Sequence, residues 1–218
     1  MKIKWLGWAS WLIQSGEKKI AIDPFKGEID GPVDIILVSH AHLDHCDNNQ
    51  LSKIRGEKTV VFTPSVYAEN INAESLDVGQ EKNLNGVKIR GVNAYNLSIS
   101  NHQKGVDTGY IIEIEGQRIY FAADTDLVEE MKELKDVDLA LLPIGGTYTL
   151  DLNQAVEAVK IIKPKFVIPM HYGTIEVVLN GELVKINLPA NADEFKKMVE
   201  ESTETKVKVL SPGEETEF

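Results

Sequence analysis

Residues 33–39, VDIILVS, are apolar apart from Asp34 and Ser39, and they lead directly into HAHLDHC at 40–46. A short apolar run of this kind suits a strand covered on both faces, inside a layered fold. The chain has five histidines, and three of them fall within positions 40–45. In extended backbone, side chains two residues apart point the same way, so His40 and His42 converge as the chain leaves the strand. Two imidazoles on one side are half of a tetrahedral metal site. Asp44 and His45 fall at the turn into the next segment and project differently. They suit a second metal, since paired hydrolytic cations lie about 3.5–4 Å apart. A lone histidine after a strand is ordinarily a surface or core residue, but three with an aspartate in six positions are not. A pH-sensing histidine cluster is the other option, and it does not require the alternation.

The remaining sequence reads as two successive blocks. The first has strands at 3–6, 10–14, 18–22 and 33–39, a helix over 47–55 capped by Asp47 or Asn48, and a strand at 59–63 with a short helix after Pro64. The second opens on an Asn85-Gly86 turn and a strand at 87–95. A polar loop (96–108) and a hairpin around EGQ (109–123) follow. Early acids and an i, i+3, i+4 pattern then predict a helix over 124–134. A buried strand (137–144), a helix capped by Asp151 (151–162) and a strand (165–170) continue the block. A hairpin around Asn180-Gly181, a helix over 191–202 and a strand at 206–210 close the chain. Two mixed sheets packed face to face, with helices outside, accommodate both blocks. The length of 218 residues, with no linker, suits one domain spanning 1–218.

Two further strands end in a ligand type. RIYFAADTD ends at Asp124 and KFVIPMHYG at His171. Alone, Asp124 reads equally as a helix cap and His171 as an interior histidine. Beside the cluster they read as metal ligands, with Asp124 the carboxylate able to bridge two cations. Asp23 is either a turn residue before Pro24 or the partner that fixes the tautomer of a ligating imidazole. After the strand at 137–144, Gly145 and Gly146 let backbone approach the site, and Thr147 or Tyr148 can donate to a developing oxyanion. The bland alternative is an ordinary loop. Tyr95 and Tyr172 flank candidate ligands and are read as packing or pocket wall. Cys46 is read as a small buried thiol. Trp5, Trp8 and Trp11 supply core or a pocket rim.

Composition narrows the partners. The net charge of −11 argues against a broad grip on nucleic acid or an anionic membrane. A small-molecule substrate is expected, and a homo-oligomer stays open. The single cysteine rules out an internal disulfide framework and fits a reducing compartment. The N-terminal segment resembles a signal peptide only loosely, and no apolar run reaches membrane-span length, so a cytoplasmic location is expected.

The His-x-His-x-Asp-His of 40–45 resembles the signature of the metallo-β-lactamase fold superfamily. More narrowly, the chain resembles metal-dependent hydrolases related to the ascorbate-6-phosphate lactonase group. The further matching stretches are KWLGWASWLI, IDPF at 22–25, YFAADTDLVEEM, DLALLPIGGTYTL and VIPMHYGT, which run to residue 174. The resemblance implies a four-layer αββα sandwich with a two-metal site at one end of the sheets. It implies His40 and His42 on the first metal, Asp44, His45 and His171 on the second, Asp124 between them, and a water or hydroxide nucleophile. One departure stands out. The superfamily places a third histidine for the first metal where this chain has Asn96, and His102 lies six residues on. His102 reaching back, Asn96 or water in its place, and His102 facing substrate are the alternatives. Imidazole is the better ligand for a transition metal, which favours His102. In flavodiiron-type relatives an acidic residue stands at the place of His42, so its imidazole implies hydrolysis at zinc or manganese.

The expectation is therefore a metal-dependent hydrolase of a small ester-like compound, such as a lactone or phosphodiester, with Asp44 and Asp124 as catalytic carboxylates. A nuclease of the same fold and a non-catalytic metal-binding or sensor protein are the competing readings.

Overall fold

The computed structural model of the chain describes residues 1–99, 101–179 and 181–218. Its strands are β1 (Lys2–Gly7), β2 (Ser10–Ser15), β3 (Lys18–Ile22), β4 (Val33–Leu37), β5 (Arg55–Thr63), β6 (Glu74–Ser75), β7 (Glu81–Leu84) and β8 (Val87–Asn93). They continue as β9 (Thr108–Ile114), β10 (Gln117–Phe121), β11 (Leu139–Pro143), β12 (Phe166–Met170), β13 (Gly173–Leu179), β14 (Glu182–Leu188), β15 (Lys206–Val207) and β16 (Glu215–Glu217). The helices are α1 (Asn48–Ile54), α2 (Ser65–Ala68), α3 (Leu152–Ile162) and α4 (Ala192–Ser202).

Two seven-stranded sheets form, in the orders β16-β1-β2-β3-β4-β5-β6 and β15-β12-β11-β10-β9-β8-β7. In each, an antiparallel meander passes into parallel strands, at β3/β4 in one and at β10/β11 in the other. This repeats the two-block order of the sequence. Strand alternation then builds three apolar layers. Ile35 and Leu37 of β4 and Ile119 and Phe121 of β10 enter the core between the sheets. Ile36 faces outward onto Leu51 and Ile54 of α1. Tyr120 faces outward into a cluster with Val156 and Val159 of α3 and Phe195 of α4. The result is the αββα sandwich. Among the described residues no helix is long and apolar enough to cross a membrane.

The caps follow local chemistry. Asp47 accepts from the backbone of Asn49 and Gln50, and Asp151 forms a reciprocal capping box with Gln154. The 124–134 segment departs from expectation, because only a 3₁₀ stretch at Glu129–Glu133 forms there. Its first residues are engaged elsewhere. The Asp126 amide bonds to the Tyr95 carbonyl, and the Asp126 carboxylate accepts from Asn96 and from the Leu97 amide. The strand expected at 206–210 is limited to β15. Of the Asn180-Gly181 turn, Asn180 lies outside the described residues, while β13 and β14 pair antiparallel on either side.

Candidate metal centre

The site lies at the carboxyl ends of the parallel strands, where open α/β sheets ordinarily bind ligands. His40 follows β4, Asp124 follows β10 and His171 follows β12. A tight turn re-aims the chain after His42, whose carbonyl accepts from the amides of His45 and Cys46. His40 and His42 therefore face one point and Asp44 and His45 another.

The ring nitrogens of His40, His42 and His102 gather within 4.8 Å of one another. His42 Nδ1 lies 3.0 Å from His40 Nε2 and 3.3 Å from His102 Nε2. Asp44, His45 and His171 form a second gathering within the same limit. Asp124 stands between the two. Its Oδ1 is 3.3 Å from His45 Nε2, and its Oδ2 is 3.1 Å from His171 Nε2 and 3.5 Å from His102 Nε2.

Neighbouring acceptors fix the tautomers. Asp23 is fully buried and takes three bonds: from His45 Nδ1 (2.7 Å), from the Ser39 amide (2.8 Å) and from Ser39 Oγ (2.6 Å). Ser39 Oγ spends its proton on Asp23, so it accepts from His40 Nδ1 at 2.8 Å. In their neutral forms His45 and His40 thus present unprotonated Nε2 atoms inward. Asn96 does the same for His102. Its Nδ2 donates to Asp126 and to the Tyr148 carbonyl, so its Oδ1 must accept from His102 Nδ1, at 2.7 Å. Asn96 has no free group for a metal, and His102, 2% exposed, is the imidazole beside His40 and His42.

The inward atoms fit cations. His45 Nε2, Asp124 Oδ1 and both ring nitrogens of His171 are buried without a hydrogen-bond partner. A buried polar atom left unpaired costs about 1–3 kcal/mol, and a divalent cation satisfies several at once. The electrostatics agree. Burial opposes charging His45, yet the carboxylates of Asp124 and Asp44 outweigh it and raise its pKa well above the ordinary histidine value. Burial likewise opposes charging His171, and Asp124 raises its pKa. For Asp44, burial is offset by His45 and His171, which hold its carboxyl below the usual range. The anionic pair thus draws positive charge into the site. Burial, reinforced by His45, keeps His40 neutral. Burial also lowers the pKa of His102.

Backbone strain concentrates here. Trp8, Asp23, Ala123 and His171 all adopt left-handed φ, between 43° and 56°. For bulky residues such a conformation costs about 1–3 kcal/mol and persists only where surroundings impose it. The His171 amide is tied to the Trp8 carbonyl at 3.0 Å. Gly145 packs so closely that a Cβ there would lie 2.3 Å from the His171 carbonyl oxygen.

Other sequence expectations separate. Tyr148 lines the cavity of about 150 Å³ over the two groups. Thr147 is exposed and is not among the residues lining it. Tyr95 turns away: its ring joins the outer core and its hydroxyl donates to Glu130. Tyr172 stacks on Trp5, 5.4 Å between ring centroids, and lines a neighbouring cavity. Burial, then Asp23 and Asp47, push the Cys46 thiol up to about 12, so it stays protonated and is a poor ligand. Trp8, read only as core or rim, lies against His171 and donates its indole N–H to Asp44 Oδ2 at 2.9 Å. Ser39, Asn101 and Ile186 also join the site or its support without a motif to announce them. Ile186 comes from the β13–β14 hairpin, giving that C-terminal segment a place in the cavity wall.

Comparison with known proteins bears on this arrangement. Residues 2–171 match the family described as the beta-lactamase superfamily domain. A UPF0173 metal-dependent hydrolase of Pyrococcus abyssi is 36% identical, with all of both chains covered. One of Staphylothermus marinus is 37% identical over 97% of this chain and 96% of its own. Among solved structures, Igni18, a metallo hydrolase of Ignicoccus hospitalis, superposes with a TM-score of 0.80 at 30% identity, covering 100% of this chain and 98% of its own. With its sandwich and clustered histidines and aspartates, the chain belongs to the metallo-β-lactamase superfamily and, within it, to the UPF0173 metal-dependent hydrolases.

Proposed function

We propose that this hydrolase holds two divalent cations, zinc or manganese, and acts on a small ester-like molecule such as a lactone or phosphodiester. The observation that carries the reading is Asp124, whose two oxygens face both histidine groups, 3.5 Å from His102 and 3.3 Å from His45. In this reading His40, His42 and His102 would hold one cation and Asp44, His45 and His171 the other, with Asp124 within reach of both groups. The nitrogen-rich first group suits zinc, while the carboxylates also suit manganese. Such cations, when bound, lower the pKa of water towards neutrality and polarise the electrophile.

The chain's own residues do the rest. Asp23, through His45 directly and through Ser39 to His40, holds two imidazoles in the tautomer that presents Nε2. Asp44, the more accessible of the two carboxylates at 21% side-chain exposure against 4% for Asp124, orients the attacking water. Tyr148, at the cavity edge, donates to the charge that develops on the substrate oxygen.

The test pairs elemental analysis with a hydrolysis panel of lactones, phosphodiesters and thioesters. Two equivalents of metal and turnover of at least one ester class are expected. Asp124→Ala should lose at least one metal and the activity. Full metal content and activity in that variant would refute the assignment.

A further inference from the structure

The charges around the cavity restrict what can enter it. Among its described lining residues none is lysine or arginine. Beyond candidate metal-holding residues the wall is Trp8, Asn101, Tyr148 and Ile186. Two nearby cations are engaged elsewhere. Lys104, two residues past His102, pairs with Glu130 at 2.6 Å. Lys26 stands over the Phe25 ring and lines the neighbouring cavity, whose wall shares only Trp8 with this one. The net charge of −11 adds a long-range field that disfavours anions.

Two large apolar side chains are exposed next to site residues along the chain. Leu43, between His42 and Asp44, is 54% exposed, and Leu97, next to Asn96, is 63% exposed. The Leu97 amide is pinned to Asp126 at 2.7 Å, which holds this exposed leucine in a defined place. Tyr148 and the half-buried Ile186 line the cavity itself. A cavity wall that joins apolar side chains to a few convergent polar groups is the usual make-up of a small-molecule site.

We propose that the substrate is a neutral ester or lactone with an apolar substituent, seated against Leu43, Leu97, Tyr148 and Ile186, and that a second anionic group on it is rejected. This deepens the hydrolase reading above and rests on it. In the reaction the acyl C–O bond of the ester breaks and a water oxygen joins the acyl carbon. The alkoxide leaving group takes a proton, giving a hydroxyl and a carboxylic acid. Rejection arises because a carboxylate on the apolar substituent, directed away from the metal-holding residues, would lose water and find no lysine or arginine of the cavity lining in exchange.

The experiment uses a γ-lactone with a butyl side chain and its analogue with a carboxylate in place of the terminal methyl. The matching γ-lactams, which resist hydrolysis, measure binding to the metal-loaded protein by NMR titration. The butyl lactam should bind, and the butyl lactone should open, about tenfold or more better than the carboxylate compounds. Leu97→Lys should narrow the gap from both sides, strengthening the carboxylate lactam about tenfold and weakening the butyl lactam that loses this apolar contact. Equal or tighter binding of the carboxylate lactam, or no binding of either, overturns the proposal. A preference for the butyl lactam with no lactone opened by protein carrying two metals would instead overturn hydrolysis of this ester class and leave the ligand preference standing.

Discussion

His102 Nδ1 donates to Asn96 Oδ1 at 2.7 Å, and Asn96 can accept there only because its Nδ2 is already given to Asp126 and the Tyr148 carbonyl. The pair converts a loop histidine into one whose Nε2 faces His42. Asn96→Ala should weaken metal at the first group about 10- to 100-fold, the usual range for losing a ligand's supporting bond. Competition against a chelator measures it. Unchanged affinity would mean that packing alone aims His102.

Asp23 sits beneath the other half of the cluster. Asp23→Ala strands the Ser39 amide, Ser39 Oγ and His45 Nδ1 in a buried place. Each orphaned donor costs about 1–3 kcal/mol. A Tm fall of about 5 °C or more is expected, by the usual conversion for a chain of this size. Metal content should fall too, because His45 and His40 lose their fixed tautomers. Wild-type melting and stoichiometry together would count against a supporting role.

Metal uptake should release protons. The raised pKa of His45 and His171 means that these rings keep their second proton to higher pH in the metal-free chain than an ordinary histidine does. Ligation needs the neutral ring, so the cation must displace that proton. Affinity therefore rises with pH until those raised values are passed, and falls in acid. Calorimetry in buffers of different ionisation enthalpy reads the proton count directly. No proton release at pH 7 would contradict it.

Trp8→Phe keeps an aromatic face against His171 but removes the donor to Asp44. A hydrogen bond to a charged group is worth about 1.5–3 kcal/mol, so the second cation should bind about tenfold or more weakly. The first should be spared. Equal loss at both would show general damage to the fold.

Gly145→Ala tests the close approach behind His171. The new Cβ would fall 2.3 Å from the His171 carbonyl oxygen and 2.6 Å from Leu188 Cδ1. Accommodating it should cost about 1–3 kcal/mol in chemical denaturation. It should also weaken metal at the His171 group. A variant as stable as the parent would show that β12 and the hairpin can part freely.

The sequence by itself determined the sandwich and the ends of the ligand-bearing strands. Alternation inside β4 and β10 is written in residue order, because a strand's facing repeats every two residues. His40, His42, Asp44 and His45 are legible for the same reason: four candidate ligands sit within one strand exit and turn. The edge strand β16, with the charged sequence ETE, was hidden because a solvent-facing edge needs no apolar pattern. Only the tertiary structure set His102, rather than Asn96, beside His40 and His42, since a loop has no period from which direction can be read. It also recruited Trp8 to Asp44 across 36 residues and Asp23 to His45 across 22. The 124–134 helix failed on the same ground. Its helical pattern was local, but Asp126 found partners in the Tyr95–Leu97 segment, and long-range hydrogen bonds outweighed the local preference.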